Sequence, residues 1–149
     1  PFSHGYTYSA HPLGAAAALA NLDIVDGEDL TGNARDTGAY LQERMHATFD
    51  GHPLVGEVRG VGLLSALEFV ADPASQTAFD PSHKVGAKIA GACLERGLIA
   101  RALPHGDILG FAPPLSITRA EVDRVVDTAR QAVDAVTDQL TREGLLKAA

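Results

Sequence analysis

Apolar residues near the carboxy-terminal end recur at Val122, Val125, Val126, Ala129, Ala132, Val133, Val136 and Leu140. Steps of three and four place them on one stripe of a helix, and Thr118-Arg119-Ala120-Glu121 in front of the stripe is a capping box. A second amphipathic helix is predicted over Leu30–Phe49. There Leu30, Ala34, Leu41, Met45 and Phe49 mark the dry side, and Asn33, Arg35, Asp36, Gln42, Glu43 and Arg44 lie largely on the wet side. It stops near Gly51, before His52-Pro53. Pro12 to about Val25 predicts a third helix, with Pro12 at the first helical position, where its missing N–H costs nothing. Gly14 and Ala15 to Ala18 leave little side chain there, so another backbone can approach closely. Val85, Ile89, Ala92 and Cys93 mark one face of a fourth helix ending at Arg96-Gly97, with Gly97 as a left-handed cap and Leu98 as its trailing apolar contact.

Between the second and fourth of these stretches the texture changes to strand. Leu54–Arg59 is followed by a Gly60-Val61-Gly62 interruption and by Leu63–Val70, where only Ser65 and Glu68 are polar, a run that predicts a strand buried on both faces. The glycines of GEVRGVG suit a tight turn with φ > 0. Residues 71–82 read as a loop, and two short strands, Leu98–Ala102 and Ile108–Ala112, are joined by the turn Pro104-His105-Gly106-Asp107. Helices first, then strands and helices alternating, predict an α+β fold in which helices cover one face of a small antiparallel or mixed sheet. The expected division is a helical segment over 1–50 and a small α+β domain over 51–149.

The length of 149 residues suits one domain with a core, and 46% hydrophobic with 21% charged residues describes an ordinary globular protein. A net charge of −7 without a basic cluster argues against nucleic acid as a partner. The single cysteine, Cys93, excludes an internal disulfide, fits a reducing cytoplasm, and reads as a buried, inert thiol. No stretch has the length and apolarity of a membrane span. The first residue is Pro1 rather than Met, which suggests a processed chain or a piece of something longer.

Candidate chemistry begins with His4-Gly5-Tyr6-Thr7-Tyr8-Ser9-Ala10-His11-Pro12, hydroxyls and imidazoles directly in front of a helix start. First-turn N–H groups plus a hydroxyl such as Thr7 make a phosphate site, and caps at Ser9 and Thr7 with packed rings are the competing reading. The six histidines show no paired-ligand spacing, so no metal site is expected. GEVRGVG lacks the Lys-Ser/Thr ending of a phosphate loop, and no Gly-x-Ser-x-Gly elbow occurs. Arg101, ending a short apolar strand, is either a surface charge or a two-pronged grip for a carboxylate. Glu68 is either a paired structural charge or an exposed edge residue.

Three stretches in order, HGYTYSAHPLGAAAALANLDI, VGEVRGVGLLSALEF and RGLIARALPHGDILGFAPPLSITRAEVD, resemble the carboxy-terminal part of class III aminotransferases, in particular the ω-amino-acid:pyruvate group. The resemblance implies the small carboxy-terminal domain of the type I pyridoxal-phosphate fold, with residues 1–50 packing on a large cofactor domain. It implies a homodimer with pyridoxal 5'-phosphate at the interface, amine and keto-acid substrates, and a cytoplasmic setting. Thr7 matches the threonine that reaches the cofactor phosphate of the neighbouring subunit, and Arg101 matches the mobile arginine that pairs with the substrate carboxylate. Some related subgroups place an arginine just before FAPPL; Gly110 stands there in this chain, which weakens an ornithine-type assignment. The Schiff-base lysine of the family lies upstream of the HGYTYSAHP-like motif, and Lys84, Lys88 and Lys147 match no such position. No catalytic residue is therefore expected in this segment, and the isolated chain is expected to be inactive. The competing expectation is a non-catalytic α+β association module.

Overall fold

The computed structural model describes residues 3–146. Two long helices come first, α1 (Pro12–Gly27) and α2 (Leu30–Phe49), joined at Asp29, which adopts φ +47° and caps α2 by accepting from the Gly32 N–H at 3.2 Å. The chain then forms a hairpin, β1 (Val55–Val61) and β2 (Leu64–Phe69). β1 runs two residues past the predicted stop at Arg59. The reversal is confined to Gly62-Leu63, with Gly62 alone of the three glycines of GEVRGVG at positive φ (+55°). A 3₁₀ turn (Pro81–His83) interrupts the predicted loop, and α3 (Val85–Glu95), β3 (Arg101–Ala102), β4 (Ile108–Phe111) and α4 (Arg119–Arg142) complete the order.

The strands form one sheet, order β1-β2-β4-β3, antiparallel at every pairing, so the fold is α+β as expected and the mixed-sheet option falls away. α2, α3 and α4 pack together over one face, around Leu41, Met45, Phe49, Leu67, Ile89, Cys93, Leu109, Val126 and Val133, all essentially solvent-free. The Thr118 capping box forms as predicted, and all but Val125 of the eight stripe residues of α4 are fully buried. Gly97 takes φ +82° while the Leu98 N–H returns to the Cys93 carbonyl at 2.9 Å, the expected helix stop.

Two expectations need correction. β2 is buried on one face only: Ser65, Leu67 and Phe69 point into the core, while Leu64 is exposed and Ala66 and Glu68 are half-exposed. Its apolar run reflects alternate residues facing a second, uncovered surface. On α2, Asn33, Gln42 and Arg44 are not simply wet. The Asn33 amide donates to the Leu115 and Ile117 carbonyls, Gln42 Nε2 to those of Gly62 and Leu64, and Arg44 pairs with Asp123 and Asp127 at 2.9 and 3.1 Å. These polar side chains lock α2 to its neighbours. α1, by contrast, has no buried residue and packs mainly against α2.

Candidate functional site

Thr7 lies in a tight turn. The Tyr6 N–H donates to Ser9 Oγ at 2.8 Å, the Ser9 N–H returns to the Tyr6 carbonyl at 2.9 Å, and Ala10 at φ +58° redirects the chain into α1. Edge-on ring contacts, His4 with Tyr6 at 5.0 Å and Tyr8 with His11 at 5.8 Å, flank the turn and leave Thr7 exposed. Neither Thr7 nor Ser9 caps the helix. His11 does so, its Nδ1 accepting from the Gly14 N–H at 3.4 Å. The anion reading of the helix start shrinks accordingly. Pro12 has no N–H, Gly14 is taken by His11 and Ala15 donates to the His11 carbonyl at 2.9 Å, so Leu13 alone keeps a first-turn donor. The phosphate reading therefore rests on the Thr7 hydroxyl rather than on the helix terminus.

Arg101 opens β3 and pairs in register with Gly110 of β4. Its side chain is exposed on the sheet face that the helices leave bare, where it lines a groove of about 520 Å³. Arg59, Ala66, Ile99, Leu103 and Gly110 share that wall, and Thr7 does not. The two carried-over residues thus sit on separate parts of the chain. Glu68 turns out to be both things at once, half-exposed and ion-paired, because Arg59 Nη1 donates to Glu68 and to Glu57. Those hydrogen bonds raise the Arg59 pKa, the one from Glu68 most strongly and against the cost of burial.

Lys88 pairs with Glu143 at 3.3 Å, and the backbone of Lys84, at φ +48°, links the 3₁₀ turn to α3; Lys147 lies outside the described residues. Among the described residues no group of histidines, cysteines and carboxylates has the geometry of a metal site, and no helix is long and apolar enough to cross a membrane.

Two residues that the sequence did not single out matter to the architecture. His52 is buried, accepts from the Leu54 N–H at Nδ1 (3.2 Å) and so presents its Nε2 proton to Asp134 at 3.0 Å. Burial works to raise the Asp134 carboxyl, and the hydrogen bonds from Arg130 and His52 outweigh it, holding it below the usual aspartate range. Arg130 also donates to the Thr48 carbonyl at 2.9 Å, tying the end of α2 to α4. Arg59 is the other omission. It sat inside a glycine-rich string that read as a turn, and only the strand register carries it to the groove.

The chain matches the family described as "Aminotransferase class-III" over residues 1–133. It is 62% identical, over its whole length, to the diaminobutyrate–2-oxoglutarate transaminase of Halomonas elongata, of which it covers 32%. It is 40% identical over 134 residues to the putrescine–pyruvate aminotransferase of Pseudomonas aeruginosa, covering 89% of this chain and 28% of that protein. Among solved structures, a transaminase from directed evolution by ancestral reconstruction superposes with a TM-score of 0.90 at 71% identity, over 94% of this chain and 31% of that one. The chain thus spans about a third of the length of the relatives it matches.

Proposed function

Since this chain belongs to the class III aminotransferases, we propose that it forms the carboxy-terminal part of a pyridoxal-phosphate-dependent enzyme that moves an amino group from an amine or ω-amino acid to a keto acid such as pyruvate. The observation that carries the reading is the family match across residues 1–133, which includes both Thr7 and Arg101. The fold agrees: a four-stranded antiparallel sheet with helices on one face, superposable on the corresponding third of solved transaminases.

The residues present fit one end of the cofactor. Thr7 offers an exposed hydroxyl in a turn whose neighbouring polar groups are already hydrogen-bonded to one another, so its donor is available to a phosphate oxygen. When bound, pyridoxal 5'-phosphate supplies the electron sink that amino-group transfer requires. Thr7 holds the phosphate across a homodimer interface, and Arg101 presents a planar fork that fixes the substrate carboxylate by two parallel hydrogen bonds. Neither side chain moves a proton. Lys84, Lys88 and Lys147 match no Schiff-base position of the family, so this segment contributes binding and orientation and is inactive in isolation.

In the full-length polypeptide, Thr7→Ala is expected to weaken cofactor affinity about tenfold, the loss of one hydrogen bond to a charged acceptor. Undiminished affinity overturns the phosphate role. Arg101→Ala is expected to raise KM for carboxylate substrates while sparing simple amines, and an equal effect on both removes Arg101 from carboxylate binding. The association-module reading draws on the bare α1 helix. It gains if the isolated chain forms no borohydride-trappable adduct with pyridoxal phosphate and the full-length polypeptide shows no amino transfer.

A further inference from the structure

A second cavity lies away from the groove that Arg101 lines. It holds about 320 Å³ between the loop over 71–82, the start of α3 and the connection from β3 to β4, and neither Thr7 nor Arg101 stands on its wall. Phe69, Val70, Phe79 and Ala87 make much of the wall apolar, and the volume suits a small molecule. Three charged residues complete it. Glu68 is already paired with Arg59, which leaves Lys84 and Asp107.

Asp107 is fixed at both its backbone and its side chain. Its carbonyl accepts from the Phe69 N–H and its Oδ1 from the Gly86 N–H, each at 2.8 Å. Gly86 permits that approach, since an added Cβ would meet the Ile108 nitrogen at 3.2 Å and Asp107 Cα at 3.3 Å. The start of α3 is thereby capped from outside, and Oδ2 of Asp107 is left without a partner among the described residues. Lys84 stands two residues before Gly86, so the root of its side chain neighbours the carboxylate. Yet no ion pair closes between them, and Lys84 makes none with any other described residue.

Lys84 also holds φ +48°, in the left-handed region where glycine would be unstrained. Gln76, on the same wall, holds φ +54°. Two of the four non-glycine residues at positive φ among the described residues therefore border one cavity, and strain of this kind gathers at ligand sites.

We infer that this cavity binds a free α-amino acid with an apolar side chain, its carboxylate on Lys84, its ammonium on Asp107 and its side chain against Phe79 and the apolar wall. One unpaired charge of each sign across a single cavity selects a zwitterion. An anion alone is repelled by Asp107, a cation alone by Lys84, and an uncharged molecule leaves both unanswered. Because neither Thr7 nor Arg101 takes part, the amino acid bound here is an effector rather than a reactant.

The test titrates leucine into the full-length holoenzyme, beside isocaproate, which lacks the ammonium, and isoamylamine, which lacks the carboxylate. Equilibrium dialysis gives the affinity and thermal melting the stabilisation, in wild type, Asp107→Asn and Lys84→Gly. Asp107→Asn keeps an oxygen for the Gly86 N–H, and Lys84→Gly suits the left-handed backbone, so both fold. Each is expected to weaken leucine binding about tenfold, the loss of one charge-assisted contact, and to shrink the rise in melting temperature that leucine causes. Without ligand, Lys84→Gly is expected to melt no lower than wild type, which separates a lysine held for binding from one held for folding. Amino transfer at saturating substrates is expected to run at the wild-type rate in both variants. A wild type that binds no leucine, or that binds isocaproate or isoamylamine as tightly, overturns the inference. Leucine binding untouched by either variant overturns it too, and places the amino acid at the cofactor instead.

Discussion

Cys93 illustrates how completely the environment of one residue decides its chemistry. Its side chain has no exposed surface, lying on the inner face of α3 with Ile89, and burial pushes the thiol up to about 11 against the smaller opposing pull of Arg96. Because the thiolate is the reactive form, a thiol held there is almost wholly protonated at neutral pH. The native chain is expected to resist a thiol-directed reagent at pH 8 and to label one-to-one once unfolded in urea; rapid labelling of the folded protein would contradict the packing of α3. His52 shows the same principle with a different outcome. It is buried among polar partners, and with the Leu54 N–H on one ring nitrogen and Asp134 on the other it works as a fixed strut between the start of β1 and α4.

Among the elements, α4 offers the most direct test of local coding. Thr118 accepts from the Glu121 N–H at 3.3 Å, and its own N–H and hydroxyl donate back to the Glu121 carboxylate at 2.8 Å each. Those donors, the backbone one first, hold the Glu121 carboxyl below its usual range. Replacing Thr118 with alanine is expected to cost about 1 kcal/mol, read as a lower urea midpoint at pH 7. A carboxyl whose folded pKa is depressed contributes stability above its unfolded pKa and loses it as pH falls through the folded value. The gap between wild type and Thr118→Ala should therefore narrow in acid, and a gap independent of pH would show that Glu121 adds nothing. Capping box, apolar stripe and glycine stop were legible in the sequence because each is a matter of neighbours along one helix. The one-sided burial of β2 was not, since apolar residues record that water is excluded without recording which element excludes it. Thr7 and Arg101 were singled out only through the resemblance to class III aminotransferases, since as residue types alone they read equally as a cap and a surface charge. Arg59 was not, because its place beside the groove depends on a register spanning three strand pairings.

For the whole molecule, the uneven burial of the helices carries the remaining argument. α2, α3 and α4 each sink a face into the core, while α1 exposes Leu13 at 73%, Leu19 at 63%, Leu22 at 56% and Ile24 at 51%. These residues, with the alanines between them, leave no consistently polar side, and a helix apolar all round belongs in an interior rather than in water. Tyr6 and Tyr8, both more than 70% exposed, extend the surface into the turn that carries Thr7. A patch of this kind on a free chain finds a partner or another copy of itself. The chain alone is thus expected to self-associate, with a sedimentation coefficient that rises with concentration. The double variant Leu19→Glu/Leu22→Glu is expected to restore the monomer without lowering the urea midpoint, because neither side chain contributes to the core of the sheet and its three helices. A wild-type chain that stays monomeric at every concentration would overturn the reading of α1 as an unpartnered apolar helix that needs a covering surface.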